Sequence, residues 1–401
     1  TAWVTIGRSL SAVAPGDVVV VGPGAYAESL DMAASGAPGQ WIAFIADSDG
    51  WYTGDNGPVE VTSANASAFT ATGQSYIAIC NFRLRGEPAN PGILANACDA
   101  WRVENNDIKG YNGGVLFDGA TNAFAYNNYV SRCGPFGIRS GAGSTNAAFS
   151  KNYIDSCTNG MEASGSVNAQ VAGNTLANCL GDGILFTAGS SGLISNNWAT
   201  DNLGNGIRLA TGTSAQVLRN FLAGNGMAGI SLQSAAAGSV IAHNDAVTNG
   251  EGILLVNTPA ASLRNNIFAF NAMAGMDADA ASTNGWVSRY NCVYGNGINW
   301  FGSAAAGPGD ISLDPLFADV ANRDFHLRSA AGRLTPNGWV LDATTSPCID
   351  AAFPADPYAQ EPAPSGGRAN IGAYGNTAEA SRSPANIITA NAGPNGAIAP
   401  S

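Results

Sequence analysis

The sequence predicts an all-β fold, a parallel β-helix with about 23 residues per coil and a short capping helix at its amino end. The first observation behind this prediction is a glycine that is followed by Val, Ile or Met and returns every 23 residues. The pairs are Gly114-Val115, Gly137-Ile138, Gly160-Met161, Gly183-Ile184, Gly206-Ile207, Gly229-Ile230, Gly252-Ile253 and Gly275-Met276. This period, without helix-forming runs or the framework of leucine-rich repeats, is typical of a solenoid whose coils hold two or three short strands.

The second observation is an asparagine that recurs at spacings of 22 to 25 residues. Its members are Asn106, Asn128, Asn152, Asn174, Asn197, Asn220, Asn244, Asn266 and Asn291. Because a side-chain amide carries both a donor and an acceptor, amides one coil apart can bond to each other along the stack. We interpret this asparagine column as structural, and the repeated glycines as residues that turn the chain into the next strand.

The strand after each repeated glycine has an inner and an outer face, because side chains alternate along a strand. The first and third residues are predicted to point inward: Val115 and Phe117, Ile184 and Phe186, Ile207 and Leu209, Ile230 and Leu232, Ile253 and Leu255. The second residues form an outer column: Leu116, Arg139, Glu162, Leu185, Arg208, Ser231, Leu254 and Asp277. We expect a ligand site, if the coils carry one, on this outer column.

Three of the seven cysteines share one position in successive coils. Cys133, Cys157 and Cys179 precede the repeated glycines by three or four residues, and asparagines occupy the same position in later coils: Asn202, Asn225, Asn249 and Asn271. Cα atoms one coil apart lie within the range of a disulfide. Two interpretations stay open, a buried ladder of thiols or one disulfide bridge, which a secreted protein would tolerate.

The segments before and after the repeats predict two caps. We expect a strand over residues 1–6 and a short helix from Arg8 to Ala14, which would cover the open end of the first coil. After Trp300 the repeat gives way to loops and brief strands. The predicted domains are therefore a β-helix with its cap over 1–300, a tail that closes the helix over 301–380, and a further segment over 381–401.

The charge balance excludes several classes of partner. The formal net charge is −12, and the chain has only two lysines, Lys109 and Lys151. Nucleic acids and anionic membranes demand a basic face, so neither is expected as a partner, and polyanionic polysaccharides are not favoured either. No stretch is long and apolar enough to span a bilayer, so we expect no membrane span.

Several stretches resemble a known family. They are Pro15-Gly16-Asp17 to Gly24-Ala-Tyr26, the repeats, and the tail motifs Asp314-Pro-Leu-Phe317, Asp324-Phe-His-Leu327, Ser346-Pro-Cys-Ile-Asp350 and Gly366 to Gly375. Over nearly the whole chain they resemble secreted bacterial right-handed parallel β-helix proteins of the pectate-lyase-like superfamily. The resemblance implies a right-handed coil and a secreted or cell-surface location. Residues 387–401 resemble the first strands of a β-sandwich module, so we expect the native polypeptide to continue.

For an enzyme, the resemblance would imply a polysaccharide lyase or a glycoside hydrolase. A β-eliminating lyase needs a basic residue beside a carboxylate-bound Ca²⁺. No motif supports Ca²⁺ and neither His243 nor His326 has an evident partner, so we expect no cofactor and no catalytic residue. The candidate ligand-binding residues in and beside the outer column are Asp118, Arg139, Glu162, Arg208 and Asp277. We interpret Arg139 over Glu162 as a surface ion pair between coils.

The residue after each column asparagine is often aromatic, as at Tyr129, Tyr153, Trp198 and Phe221. If these side chains face outward, they form two stacked pairs that offer flat surfaces to sugar rings or to a neighbouring protein. The alternative is that they pack inward or under loops. A shift of one residue in the register would reverse the face, so both alternatives stay open.

These observations lead to two hypotheses about function. The first is an extracellular structural or surface-display protein without a catalytic site, which assembles with itself head to tail into filaments through exposed strand edges. The alternative is a secreted protein that binds or cleaves extracellular polysaccharide and uses the outer face of the β-helix.

Overall fold

A computed structural model describes residues 3–87 and 89–384. Within them the chain forms a right-handed parallel β-helix whose coils each contribute one strand to three sheets of 12 strands, named A, B and C. Neighbouring strands in each sheet come from successive coils and are parallel, so the predicted all-β solenoid is confirmed. The one helical segment in the described residues is the 3-10 helix Gly7–Ser11.

The strands of the coils have the following bounds. Sheet A contains β1 (Val18–Val21), β4 (Ile42–Ala46), β7 (Ile77–Cys80), β10 (Trp101–Glu104), β13 (Phe124–Tyr126), β16 (Ala148–Ser150), β19 (Ala169–Ala172), β22 (Ser191–Ser195), β25 (Ser214–Leu218), β28 (Val240–Ala242), β31 (Ser262–Arg264) and β34 (Val287–Arg289). Sheet B contains β2 (Gly24–Tyr26), β5 (Val59–Ser63), β8 (Arg83–Gly86), β11 (Asp107–Lys109), β14 (Tyr129–Ser131), β17 (Tyr153–Asp155), β20 (Thr175–Ala177), β23 (Trp198–Thr200), β26 (Phe221–Ala223), β29 (Asp245–Val247), β32 (Ile267–Ala269) and β35 (Cys292–Tyr294). Sheet C contains β3 (Leu30–Asp31), β6 (Phe69–Thr72), β9 (Ile93–Asn96), β12 (Val115–Asp118), β15 (Phe136–Ser140), β18 (Asn159–Ser164), β21 (Ile184–Thr187), β24 (Ile207–Leu209), β27 (Ala228–Gln233), β30 (Glu251–Val256), β33 (Ala274–Ala278) and β36 (Ile298–Gly302).

The repeated glycines set the register of sheet C. Ile184, Ile207 and Ile230 pair in register across three successive coils, and all three side chains are fully buried. The residue after each of them lies on the outer face, where Leu185 pairs with Arg208. Both faces of the strand therefore follow the predicted alternation, and the helix interior is a continuous stack of apolar side chains.

The asparagine column forms a buried ladder at the turn between sheets A and B. Asn197 Oδ1 accepts hydrogen bonds from the backbone N–H and the Nδ2 of Asn174, at 2.9 and 3.0 Å. Asn197 Nδ2 donates to the carbonyl of Val171 and to Asn220 Oδ1, at 2.8 and 3.0 Å. The same pattern runs to Asn291, which bonds to Asp310 at the end of the ladder. The ladder satisfies backbone groups at every turn and explains why asparagine recurs there.

The cysteine column is buried inside the turn between sheets B and C. The side chains of Cys133, Cys157 and Cys179 are buried in three successive coils. The backbone N–H of Cys179 donates to Asn202 Oδ1 at 3.0 Å, and a second asparagine ladder continues from there. A bridge within this column stays a prediction.

The two ends of the helix differ from the predicted caps. Residues 3–6 are not a strand, because the backbone N–H groups of Ile6 and Gly7 donate to the carboxylate of Glu28 rather than to a neighbouring strand. The predicted helix from Arg8 to Ala14 is only the 3-10 helix Gly7–Ser11, and Leu10 and Val13 pack on the apolar interior. Residues 1 and 2 lie outside the described residues.

The tail covers more of the helix than its end. Residues 303–313 close the last coil, where the backbone N–H of Val293 donates to the carbonyl of Ile311 at 2.9 Å. The chain then returns along the outer face of sheet B and forms two hairpins, β37 (Phe317–Asp319) with β38 (Asp324–Leu327) and β39 (Arg333–Thr335) with β40 (Gly338–Val340). A second apolar cluster joins the tail to sheet B. The predicted module over 387–401 lies outside the described residues.

Candidate functional site

The outer column of sheet C carries a polar cluster over four successive coils. Arg139 and Glu162 are paired in register on β15 and β18, and Arg139 Nε lies 3.6 Å from Glu162 Oε1. Burial raises the pKa of the Glu162 carboxyl, and the charge of Arg139 opposes this shift only in part. This carboxyl is therefore easier to protonate than an exposed glutamate.

The cluster includes Asp182, which the sequence prediction missed. Asp182 precedes the repeated glycine of its coil; its Oδ1 accepts from the backbone N–H and the Nδ2 of Asn205, at 2.8 and 2.7 Å. Its Oδ2 lies 3.8 Å from Arg208 Nη1, and Arg208 Nη2 donates to Gln233 at 3.0 Å. Both carboxylates of the cluster are thus engaged by a neighbour. Asp182 could have been identified from its position directly before the repeated glycine. This position is buried, and Asn205 occupies it in the next coil.

The remaining outer-column candidates flank this cluster, with Asp118 one strand before Arg139 and Asp277 three strands after Arg208. Asp118 is on β12 and Asp277 on β33, which are seven coils and roughly 34 Å apart at about 4.8 Å per strand. Burial and the nearby Asp279 raise the pKa of Asp277. Over residues 3–87 and 89–384 no group of three or more His, Cys, Asp or Glu side chains is arranged to hold a metal ion.

The aromatic residues after the asparagine column face outward on sheet B. Tyr129 and Tyr153 pair in register on β14 and β17, with ring centroids 5.5 Å apart and planes 15° from parallel. Their exposed fractions are 44% and 42%, so both side chains are open to solvent. The two rings therefore form an exposed, offset stack that runs along the helix axis.

The second aromatic pair lies in the same row but beneath the tail. Trp198 and Phe221 stack with centroids 4.3 Å apart and planes 16° from parallel. Phe325 of the tail lies over both rings, at 6.1 and 6.3 Å, and Tyr374 lies 4.8 Å from Phe221. The first pair thus follows the outward alternative and the second pair lies under loops, although both side chains leave the same face of the sheet.

A groove of about 550 Å³ lies between the exposed tyrosines and the tail. Its lining includes Tyr153, Thr175, Asn178, Trp198, Asp201 and Arg323. Arg323 comes from the turn between β37 and β38, and its Nη2 donates to both carboxylate oxygens of Asp201 at 2.5 and 2.6 Å. The tail therefore forms one wall of this groove, which we call the sheet B groove.

Both histidines have partners, contrary to the expectation from sequence. Asn265 Nδ2 lies 2.9 Å from His243 Nε2, and Asp356 of the tail lies 3.7 Å from the same nitrogen. Burial lowers the pKa of His243. His326 Nδ1 lies 2.6 Å from Asp324 Oδ1. Asp356 escaped the prediction because it is distant in sequence from His243, whereas Asp324 is two residues from His326 and the alternation of β38 could have found it. The His243 contacts join the tail to the β-helix.

Comparisons with known proteins agree with this fold. The model of the right-handed beta helix region family matches residues 67–222, and that of the disaggregatase-related family matches residues 183–352. No curated protein matches the sequence. Among the described residues no helix is long and apolar enough to cross a membrane.

Two solved structures share the architecture. XylC in complex with xylose has a TM-score of 0.60 at 12% identity, covering 82% of this chain and 86% of that one. A double mutant of the periplasmic alginate epimerase AlgG has a TM-score of 0.58 at 14% identity, covering 77% of this chain and 83% of that one. At this identity the similarity shows the fold.

Proposed function

We propose that this right-handed parallel β-helix protein, which has the fold of the pectate-lyase-like superfamily, binds extracellular polysaccharide along the outer face of sheet B. The observation that carries the proposal is the exposed, nearly parallel pair Tyr129 and Tyr153, which leads directly into the sheet B groove. An aromatic ring has an apolar face that suits the C–H face of a pyranose. Two such rings in line, one coil apart, suit a chain of sugars better than a single small molecule.

The composition of the groove supports the same ligand class. Asn178, Thr175 and Asp201, which carry amide, hydroxyl and carboxylate groups, line the groove together with Tyr153. A concave site that combines aromatic surface with a few polar groups is the usual form of a ligand site. XylC, solved with xylose, and the alginate epimerase AlgG use the same architecture with sugars. A polysaccharide ligand implies a secreted or cell-surface location.

The test is a binding measurement on the whole chain with a panel of soluble polysaccharides by affinity gel electrophoresis. Tyr153→Ala should weaken binding of the retained polysaccharide by about tenfold, because it removes one of two stacking faces. The matched control is Tyr126→Ala on sheet A, where Tyr126 stacks on Phe124 with centroids 5.7 Å apart. Equal loss in both variants, or no loss in Tyr153→Ala, would contradict the proposal.

End-to-end assembly is a second candidate, favoured by the ends of the helix. β1 is the edge strand of sheet A, with Val18 exposed beside a hollow of about 710 Å³ that Trp3 also lines. At the other end, β36 is the edge strand of sheet C and exposes Ile298 and Phe301. An unpaired edge with exposed apolar side chains can join another copy.

Negative-stain microscopy tests the assembly directly. Fibres in the parent protein that are lost in Val18→Lys would support end-to-end contact through the amino end, because a charge on the edge strand opposes pairing. Only monomers at high concentration would contradict it.

A further inference from the structure

We infer that the sheet B groove selects uncharged polysaccharide over uronic-acid polymers, an inference that rests on the proposed function. The observation is the ion pair between Asp201 and Arg323, which occupies the one cationic side chain that lines the groove in the described part of the chain. Arg323 Nη2 donates to both carboxylate oxygens of Asp201. The guanidinium that could bind a sugar carboxylate is therefore already bound to the carboxylate of Asp201.

Two further carboxylates accept hydrogen bonds from residues that line the groove. Asn178 Nδ2 donates to Asp155 Oδ1 at 2.8 Å, and Asn322 Nδ2 donates to Asp319 Oδ2 at 2.8 Å. With Asp201, the groove and its immediate supports hold three carboxylates against one guanidinium. A polymer with a carboxylate on every residue would be repelled by this local charge and by the net charge of the chain, −12.

The same hydrogen bonds leave the side-chain amide oxygens of Asn178 and Asn322 as acceptors for hydroxyl groups. Because the Nδ2 groups of Asn178 and Asn322 are directed to carboxylates, their Oδ1 atoms are left as acceptors, and no bond to either Oδ1 is found among the described residues. Sugar hydroxyls can donate to these oxygens. A uronate carboxylate can only accept hydrogen bonds, so it cannot donate to the Oδ1 atoms of Asn178 and Asn322.

Calorimetry on the whole chain tests the inference with defined probes. Hexamers of xylose, glucose and mannose are titrated against hexamers of galacturonate and mannuronate. At least one neutral hexamer should bind tenfold or more tightly than either uronate, and its affinity should be unchanged between about 0.05 and 0.5 M NaCl. A uronate hexamer that binds as tightly as the best neutral one would overturn the inference while leaving polysaccharide binding intact. No binding by any hexamer, or binding that Tyr153→Ala does not weaken, would instead overturn the proposed function together with this inference.

A charge variant separates the ion pair from the rest of the groove. Asp201→Asn frees Arg323, so the ratio of uronate affinity to neutral-hexamer affinity should rise about tenfold. The double variant Asp201→Asn, Arg323→Gln restores the net charge of the parent and should also restore its weak uronate binding. Melting curves establish that both variants fold. If Asp201→Asn folds and binds uronate as weakly as the parent, the ion pair does not set the preference and the inference is wrong.

Discussion

Replacing the buried Asn197 by alanine should destabilise the fold far more than replacing an exposed side chain by alanine. Asn197 is fully buried in the middle of the asparagine ladder, with ladder residues on both sides. The substitution leaves the backbone N–H of Asn174, one proton of its amide and the carbonyl of Val171 without the partner they have now. Each polar group that stays buried without a partner costs about 1 to 3 kcal/mol.

These losses sum to about 4 kcal/mol in the free energy of unfolding, since water that enters the vacated space recovers part of the cost. Asn197 has no left-handed backbone conformation that alanine would strain, so the loss reports on the hydrogen bonds. Urea unfolding followed by circular dichroism measures the change, with linear extrapolation at a common slope. The control is Gln170→Ala, an exposed side chain on the outer face of sheet A, which should change the free energy by less than about 0.5 kcal/mol.

An Asn197→Ala variant as stable as Gln170→Ala would refute the reasoning. The ladder would then be a consequence of the repeat rather than a source of its stability. A change in the urea slope would indicate that the coils unfold separately, and the comparison would have to be made coil by coil.

Three further predictions concern the core, the thiols and the tail. Ile207→Asp should lower the free energy of unfolding by several kcal/mol, about 3 or more, because it buries an unpaired charge; melting like the parent would mean that the face assignment is wrong. If the column of Cys133, Cys157 and Cys179 holds a bridge, alkylation under denaturant without reductant should leave two of them unlabelled in intact-mass analysis, whereas labelling of all three would exclude it. Burial raises the pKa of Glu361 to about 7, above its value in the unfolded chain, so the tail should lose stability as the pH rises from about 5 to 7. Glu361→Gln should flatten that dependence in melting curves, and an unchanged slope would point to another group.

The sequence predicts the coils well because equivalent positions in successive coils have the same surroundings, so the same residue types recur there. The glycine period places Ile184, Ile207 and Ile230 on the inner face, and alternation then assigns their neighbours outward. The asparagine column follows from the same argument, since a side chain that is both donor and acceptor suits a stack with one residue per coil.

The candidate site could be predicted only in part, because its other wall is distant in sequence. Tyr129 and Tyr153 follow from the register, but nothing local shows that Trp198 lies under Phe325 or that Asp201 pairs with Arg323, 122 residues away. Tail residues have no period, so their contacts cannot be inferred from a neighbouring coil.

Asp182 was missed for a different reason. It replaces an asparagine of the adjacent coils, Asn159 and Asn205, and only the three-dimensional stack shows that the carboxylate meets Arg208. The predicted amino-terminal strand is wrong because a strand needs a neighbouring strand as its hydrogen-bond partner. The backbone N–H groups of Ile6 and Gly7 donate to the side chain of Glu28 instead.

The proposal of polysaccharide binding on sheet B is tested most directly by a crystal structure with a bound neutral hexasaccharide. Sugar rings should stack over Tyr129 and Tyr153, with hydroxyls on Asn178 at the entrance of the sheet B groove. Sugar bound instead over Arg139 and Glu162 on sheet C, with the tyrosines uncovered, would contradict it.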